Sequence, residues 1–519
     1  MSRRACLILA FAGLVALAIA AAAYGLRGEA GPPETCDTLD RPPRISPDYS
    51  GAVIPPNIAP LNFVVGEPGD GYCVRIRSSR GDPIEVTSRT PGIVIPPRRW
   101  TDLLGANRGE PLRFDVYVLA DGAWRRFEPV SNTIARETID SHLVYRLIRA
   151  LFNKWSDMGI YDRDLTGYAE RLVVDNGSFG EGCVNCHTFR NNRPGDMMLQ
   201  TRGGAGGSST VLVRGGDPAK VDTRTPFGLT GYTSWHPSGE LLVCAVVKVR
   251  QFFHTARREA RDVIDLDSTL ICYAPAEDRV TAPASLSRKD RLETYPCWSP
   301  DGRHLYFSSA EKLWSDEAEF PPKRFAEVRY DLMRVSYDAA LGQWGEPETV
   351  LASVETGKSI TQPRISPDGR WLLFCMADYG CFPIFNRECD LYLMDLETRR
   401  YRRLEINSDE CDSWHSWSAN GRWIVFSSKR GNGLFARPHF SYVEPDGTVR
   451  KPFVLPQRDP AFYESCIKTY NVPELVTGPV PVGREALARL IRTPLDAKEA
   501  APMTSASPPD GSGAATPAH

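Results

Sequence analysis

Three hydrophobic patterns succeed one another along the chain. From Asn57 to about Arg136, apolar and polar residues alternate in short runs broken by Gly, Pro and Asp. The segments LNFVVGE, GYCVRIRSS, PIEVTSR, LRFDVYVLA and AWRRFEPV read as strands. A small immunoglobulin-like β-sandwich over 57–136 is expected. Over 137–160 the period changes. Ile139, Leu143, Leu147, Leu151 and Trp155 recur every four residues, with Val144, Ile148 and Phe152 beside them. That spacing predicts an amphipathic helix within a helical connector spanning 137–170.

From about 175 to 475 the chain repeats itself. The segments YTSWHPSGELLVC, YPCWSPDGRHLYFSS, TQPRISPDGRWLLFC and DSWHSWSANGRWIVFSS align on Trp235, Trp298, Ile365 and Trp417. Each has a tight turn, an apolar strand, a looser stretch and a strand such as DLMRVSYD or DLYLMDLE. Tandem units of several strands are the signature of a β-propeller. Gly239, Gly302, Gly369 and Gly421 stand where such a turn needs a positive φ.

These S-P-D-G-R-x-hydrophobic repeats resemble those of TolB-like periplasmic propellers, the PD40 repeats. The resemblance covers most of 171–480. It implies a six-bladed fold and protein-interaction platforms, and is nearly silent about activity. CVNCHTFRNNRPGDMMLQTRG, with STVLVRGG and AKVDTRTP, reads as a further blade, with CVNCH in place of the S-P-D-G turn. RLVVDNG and the distant CIKTYNVPELVTGPV are expected to close a sixth. The expected fold is mainly β: a propeller, six-bladed by this count of units, preceded by the sandwich and a connecting helix.

The ends differ from the middle. Arg3 and Arg4 precede an apolar run from Cys6 to Ala23 that ends in small residues. Residues 1–26 therefore read as a signal peptide or an uncleaved membrane anchor, and both readings stand. The chain is expected to be exported and periplasmic, with 6–26 as the possible inner-membrane anchor. Residues 27–56 read as a Pro- and Gly-rich linker, 481–492 as a short helix, and 493–519 as a disordered Ala/Pro/Ser/Gly tail.

Export changes the reading of CVNCH at Cys183, Cys186 and His187. Two thiols two residues apart add to the vinyl groups of haem, and the adjacent imidazole binds iron. The motif occurs once, so one covalent c-type haem is expected, with His187 as the proximal ligand. A zinc site would need further Cys or His at matching spacing, and a redox CxxC a βαβ setting. Met197 or Met198 is the candidate distal ligand, with His236, His254 and His415 as rivals. Trp235, Trp298, Trp414 and Trp417 read as blade-packing residues.

The chain has 13 cysteines. Cys381–Cys389 and Cys36–Cys73 are the disulfide candidates in an oxidising compartment; Cys244 and Cys375 read as small buried apolar residues. The net charge of −2 over 519 residues offers no nucleic-acid surface. G-x-S-x-G, H-E-x-x-H and a phosphate loop are all absent from the sequence, so no catalytic residue is assigned. The expected function is electron transfer with a protein partner in the periplasm. A haem enzyme with an open distal site, or an interaction scaffold with structural haem, are the alternatives.

Overall fold

The computed structural model describes residues 32–149, 157–223, 230–255, 259–316 and 319–494. The signal or anchor segment 1–26 and the tail 495–519 lie outside them. Among the described residues no helix is long and apolar enough to cross a membrane. The chain forms two compact units.

The first unit holds the residues up to Thr138 together with Pro456–Cys466. It is a seven-stranded and a three-stranded sheet around a core that includes Phe63, Trp100 and Phe114. The expected linker is part of it. Asp37–Thr38, Ile45–Ser46 and Val53–Ile54 each pair with a strand of the unit. Strands of two residues are too short to show a period in sequence. The unit also contains a helix, Pro97–Ala106, that alternation did not predict. Proline occupies its first turn, and Trp100, Leu103 and Leu104 bury one face. The Trp100 indole donates to the Ile58 carbonyl at 3.0 Å.

The second unit, Ile139–Leu455 with the residues from Ile467 onward, is a six-bladed β-propeller. Blade 1 is assembled from both ends of the unit. Lys468–Val476 pairs with His142–Arg149, followed by Met158–Asp164 and Glu170–Asp175. Blades 2 to 6 begin with Cys183–Phe189, Thr230–Trp235, Arg291–Trp298, Ser359–Ile365 and Asp412–Trp417. Each of these first strands contacts the next, and Lys468–Val476 contacts both Asp412–Trp417 and Cys183–Phe189, so the six form a closed inner ring.

The expected connecting helix is therefore corrected. His142–Arg149 and Met158–Asp164 are antiparallel strands, and Leu151, Phe152 and Trp155 lie outside the described residues. His142–Arg149 is the second strand of its blade and is covered on both faces. Leu143, Val144, Tyr145 and Leu147 are all buried. Burial on both sides removes alternation, and an unbroken apolar run then imitates a helical stripe. A helix does form at Arg484–Arg492, within the 481–492 segment.

The turn motif does structural work in every repeat that carries it. In blade 4 the Gly302 N–H donates to the Ser299 carbonyl at 2.9 Å and Asp301 accepts from the Arg303 N–H at 3.0 Å. Trp235, Trp298, Ile365 and Trp417 occupy one equivalent position, each paired with the residue seven further on.

Both expected disulfides are also corrected, since every described cysteine is a free thiol. Cys36 precedes a strand that reaches the Cys73 strand only across two others. Three strand spacings are about 14 Å, twice the reach of a disulfide. Cys381 and Cys389 are close in sequence but look in different directions. The Cys389 thiol donates to the Asp412 carbonyl of blade 6 at 3.5 Å, whereas Cys381 lies beside Tyr330 and Asp265.

Candidate functional site

The CVNCH segment is not a turn. It forms the inner strand of blade 2, Cys183–Phe189, and aligns with L-E-T-Y-P of blade 4 rather than with S-P-D-G. The strand carries a β-bulge. Asn185 pairs with Gln200 and Thr188 with Met198, so Cys186 and His187 together oppose one residue. Cys186 has φ 51°, a left-handed value. That conformation costs about 1–2 kcal/mol in a residue with a side chain.

The cost belongs to the fold. Inner strands of blades 4, 5, 6 and 1 bulge at the same place, and Tyr295, Gln362, Trp414 and Val472 have φ between 48° and 56° there. Three of these bulges continue with Pro296, Pro363 and Pro473; blade 6 continues with His415 and blade 2 with His187. The bulges converge on aromatic packing. Tyr232 lies 4.2 Å from Tyr295 and 5.6 Å from Trp414, ring to ring.

The two imidazoles at this position differ. His415 Nε2 is 3.0 Å from the Leu373 carbonyl, and its Nδ1 is 3.7 Å from the Cys375 sulfur. His187 is 2% exposed, and neither ring nitrogen has a hydrogen-bond partner. The Val144 and Val472 backbones come close enough to act on it as weak hydrogen-bond partners, short of good geometry. Burial first, and the Arg146 charge second, push its pKa down to about 4. It is therefore a neutral imidazole with no well-formed hydrogen bond at either nitrogen.

The cysteines flank it. Cys183 packs in the core between blades 1 and 2, with Phe179, Val184 and Phe189. Cys186 lies within electrostatic reach of Tyr232 in blade 3. Burial raises both thiols, Cys186 to about 11, and Arg146 and Arg202 oppose that rise. Both are neutral thiols.

The remaining candidates are distributed as follows. Met197 sits in the same core as Cys183, and Met198 in the opposite core, with Trp235 and Cys244. Both are fully buried. His236 replaces the serine of the turn motif. Its Nδ1 lies 2.8 Å from the Ser238 hydroxyl and its Nε2 3.2 Å from the Gly302 carbonyl. His254 follows the long strand Leu242–Phe253, where its N–H donates to the Ala260 carbonyl.

Reading the sequence missed Arg146, Arg202 and Glu474 around this strand. Arg146 donates to the Asn185 side chain. Glu474 accepts from the Phe189 N–H at 3.1 Å, and burial raises its pKa to about 7. No local motif marks any of the three, because they meet CVNCH only through blade closure.

No protein-family model matches the chain, and no curated protein does. Solved structures are similar at low identity. An oligogalacturonate lyase in complex with manganese is 12% identical with a TM-score of 0.35, over 61% of this chain and 74% of that one. A putative 6-phosphogluconolactonase from Bacteroides uniformis is 11% identical with a TM-score of 0.33, over 77% and 99%. A GH74 enzyme from Niastella koreensis is 11% identical with a TM-score of 0.38, over 61% and 46%. None of these bears on activity, and the six blades rest on strand topology.

Proposed function

We propose that the chain is an exported monohaem c-type cytochrome on a TolB-like propeller, exchanging electrons with a protein partner in the periplasm. The observation that carries this is the buried, partnerless His187 imidazole beside two free thiols at the C-x-x-C-H spacing. An orphaned buried nitrogen costs about 1–3 kcal/mol, and bonding one of them to iron removes that cost.

The donor set suits haem better than zinc. Among the described residues no three His, Cys, Asp or Glu side chains gather as a metal site. Zinc requires its ligands to meet at one point. A thioether-linked haem does not, because the sulfurs bond the porphyrin edge while the imidazole meets its centre. Each neutral thiol would add its S–H across a vinyl group, sulfur to one carbon and hydrogen to the other. A haem bound there supplies a one-electron couple. Residues 1–26 supply the export signal or the inner-membrane anchor.

The test is covalent attachment in cells equipped for haem attachment. Haem staining should survive denaturing electrophoresis in wild type and vanish in Cys183→Ala/Cys186→Ala. Wild-type protein that releases its haem into acid acetone would sink the reading. The burial of Cys183, Cys186 and His187 favours a second reading, haem as an internal staple of a binding scaffold. Fast electron exchange with a small cytochrome supports the carrier; a haem inert to both reductants and cyanide supports the staple.

A further inference from the structure

Arginines in this propeller that are partly withdrawn from water are usually paired. Arg190 meets Asp196, Arg291 meets Asp331, Arg334 meets Glu348 and Arg430 meets Asp412. Arg146 and Arg202, like Arg364, break the pattern. Neither forms an ion pair among the described residues, and the Nε atom of each is buried without a partner. Both side chains are half-buried, and a partly desolvated guanidinium with no anion leaves a place for a negative charge.

Both are tied to the CVNCH strand. Arg146, in the blade 1 strand His142–Arg149, bonds the side chain of Asn185, which stands between the two cysteines. Arg202 ends the strand Met197–Arg202, directly opposite Cys183 in the ladder. Its Nη2 donates to the Thr230 carbonyl at 3.2 Å. Among the described residues no carboxylate pairs with either guanidinium, and Arg261 adds further positive charge near Arg146. Glu474 is committed to the Phe189 N–H and faces Arg364.

We propose that Arg146 and Arg202 hold the two propionate carboxylates of the haem attached at Cys183 and Cys186, and thereby set its reduction potential. This rests on the haem reading above and adds to it the residues that orient the group. Two cations without anions beside one attachment motif match the two carboxylates that haem carries. Guanidinium and carboxylate also pair in bidentate geometry. Positive charge beside the haem disfavours the ferric state, which carries one more positive charge than the ferrous.

The experiment is redox titration of the full-length, haem-loaded protein. Arg146→Gln and Arg202→Gln should each lower the equilibrium constant for reduction about tenfold, a fall of about 59 mV for one electron. Arg146→Lys and Arg202→Lys should recover most of it, and Arg214→Gln, elsewhere in blade 2, should leave the potential unmoved. Attached haem with an unchanged potential in both Gln variants overturns this proposal alone. Absence of covalent haem in wild type overturns it together with the function. A stability measurement covers variants that fold poorly. In the haem-free Cys183→Ala/Cys186→Ala chain, Arg→Gln should hold or raise the urea midpoint; in the haem-loaded chain it should lower it. A fall in both backgrounds assigns the arginines to structure only and overturns the proposal.

Discussion

Asp265→Asn should stabilise the propeller, and the gain should grow with pH. Asp265 lies in the blade 3 strand Arg261–Ala274. It is 2% exposed, and neither carboxylate oxygen has a hydrogen-bond partner. Burial pushes its pKa up to about 8; Asp267 adds to the rise, while Ser268 and Lys312 oppose it. An unfolded aspartate titrates near 3.9. The folded state therefore binds this proton more tightly than the unfolded state does. The associated stability is complete below about pH 4 and is lost as pH rises to about 8. Between pH 5 and 8 the loss is about 3 × 1.36, or about 4 kcal/mol. Asparagine has the same shape and does not titrate. Urea unfolding followed by circular dichroism at pH 5 and pH 8 measures both proteins. Their difference cancels the other buried groups, such as Glu293, raised to about 7, and His415, lowered to about 3. The variant should gain about 4 kcal/mol relative to wild type on moving from pH 5 to 8. An equal difference at both pH values would refute the reasoning, because it would mean that the folded carboxyl is already ionised at pH 5.

Gly369→Ala should cost only the left-handed backbone term, about 1–2 kcal/mol, since a Cβ there meets nothing. Gly302→Ala should cost about 1–3 kcal/mol more, because its Cβ would lie 2.4 Å from the His236 ring; equal urea midpoints would contradict the contact. Truncation after Cys466 removes the inner strand of blade 1 and exposes the edge of His142–Arg149. The truncated chain should lose its cooperative unfolding transition, and one that kept it would show that the ring does not depend on this closure. Cys375, Cys389 and Cys411 are buried thiols, so they should resist maleimide until urea is added. Peptide maps made without reduction should show no Cys381–Cys389 link.

The propeller was legible wherever the turn carried its motif. Four Gly-containing turns set the register of blades 3 to 6, and the two distant segments expected to close one blade do lie in one, Glu170–Asp175 and Lys468–Val476 at its opposite edges. Legibility failed where a strand is covered on both faces, as in His142–Arg149, and where CVNCH, written over an inner strand, hid its equivalence to L-E-T-Y-P. The haem motif itself is local and needs only three residues to be read. Arg146 and Arg202 are the reverse. What marks them is the lack of an ion-pair partner among the described residues, and that lack leaves no trace in sequence. The disulfide candidates failed for a related reason. Sequence proximity placed Cys381 near Cys389, but thiol direction is fixed by neighbouring blades.

The repeat supplies its own control for the ligand assignment. His187 and His415 follow the left-handed bulge residues Cys186 and Trp414 in two inner strands. The fold therefore gives the two imidazoles the same backbone and nearly the same burial, 2% and 4% exposed. Only their bonding differs. His415 lies within hydrogen-bond distance of the Leu373 carbonyl, so His415→Phe should cost about 1 kcal/mol, and more if the carbonyl is stranded. His187 has no well-formed hydrogen bond in the protein, so in the haem-free Cys183→Ala/Cys186→Ala chain His187→Phe should stabilise by about 1–3 kcal/mol. In cells that attach haem to the wild-type motif, His187→Phe should abolish the native spectrum and His415→Phe should preserve it. The two substitutions are thus expected to have opposite signs in stability and opposite effects on the haem. A His187→Phe chain destabilised as much as His415→Phe would mean that the protein already satisfies this imidazole, and His187 would then have no free nitrogen to offer iron.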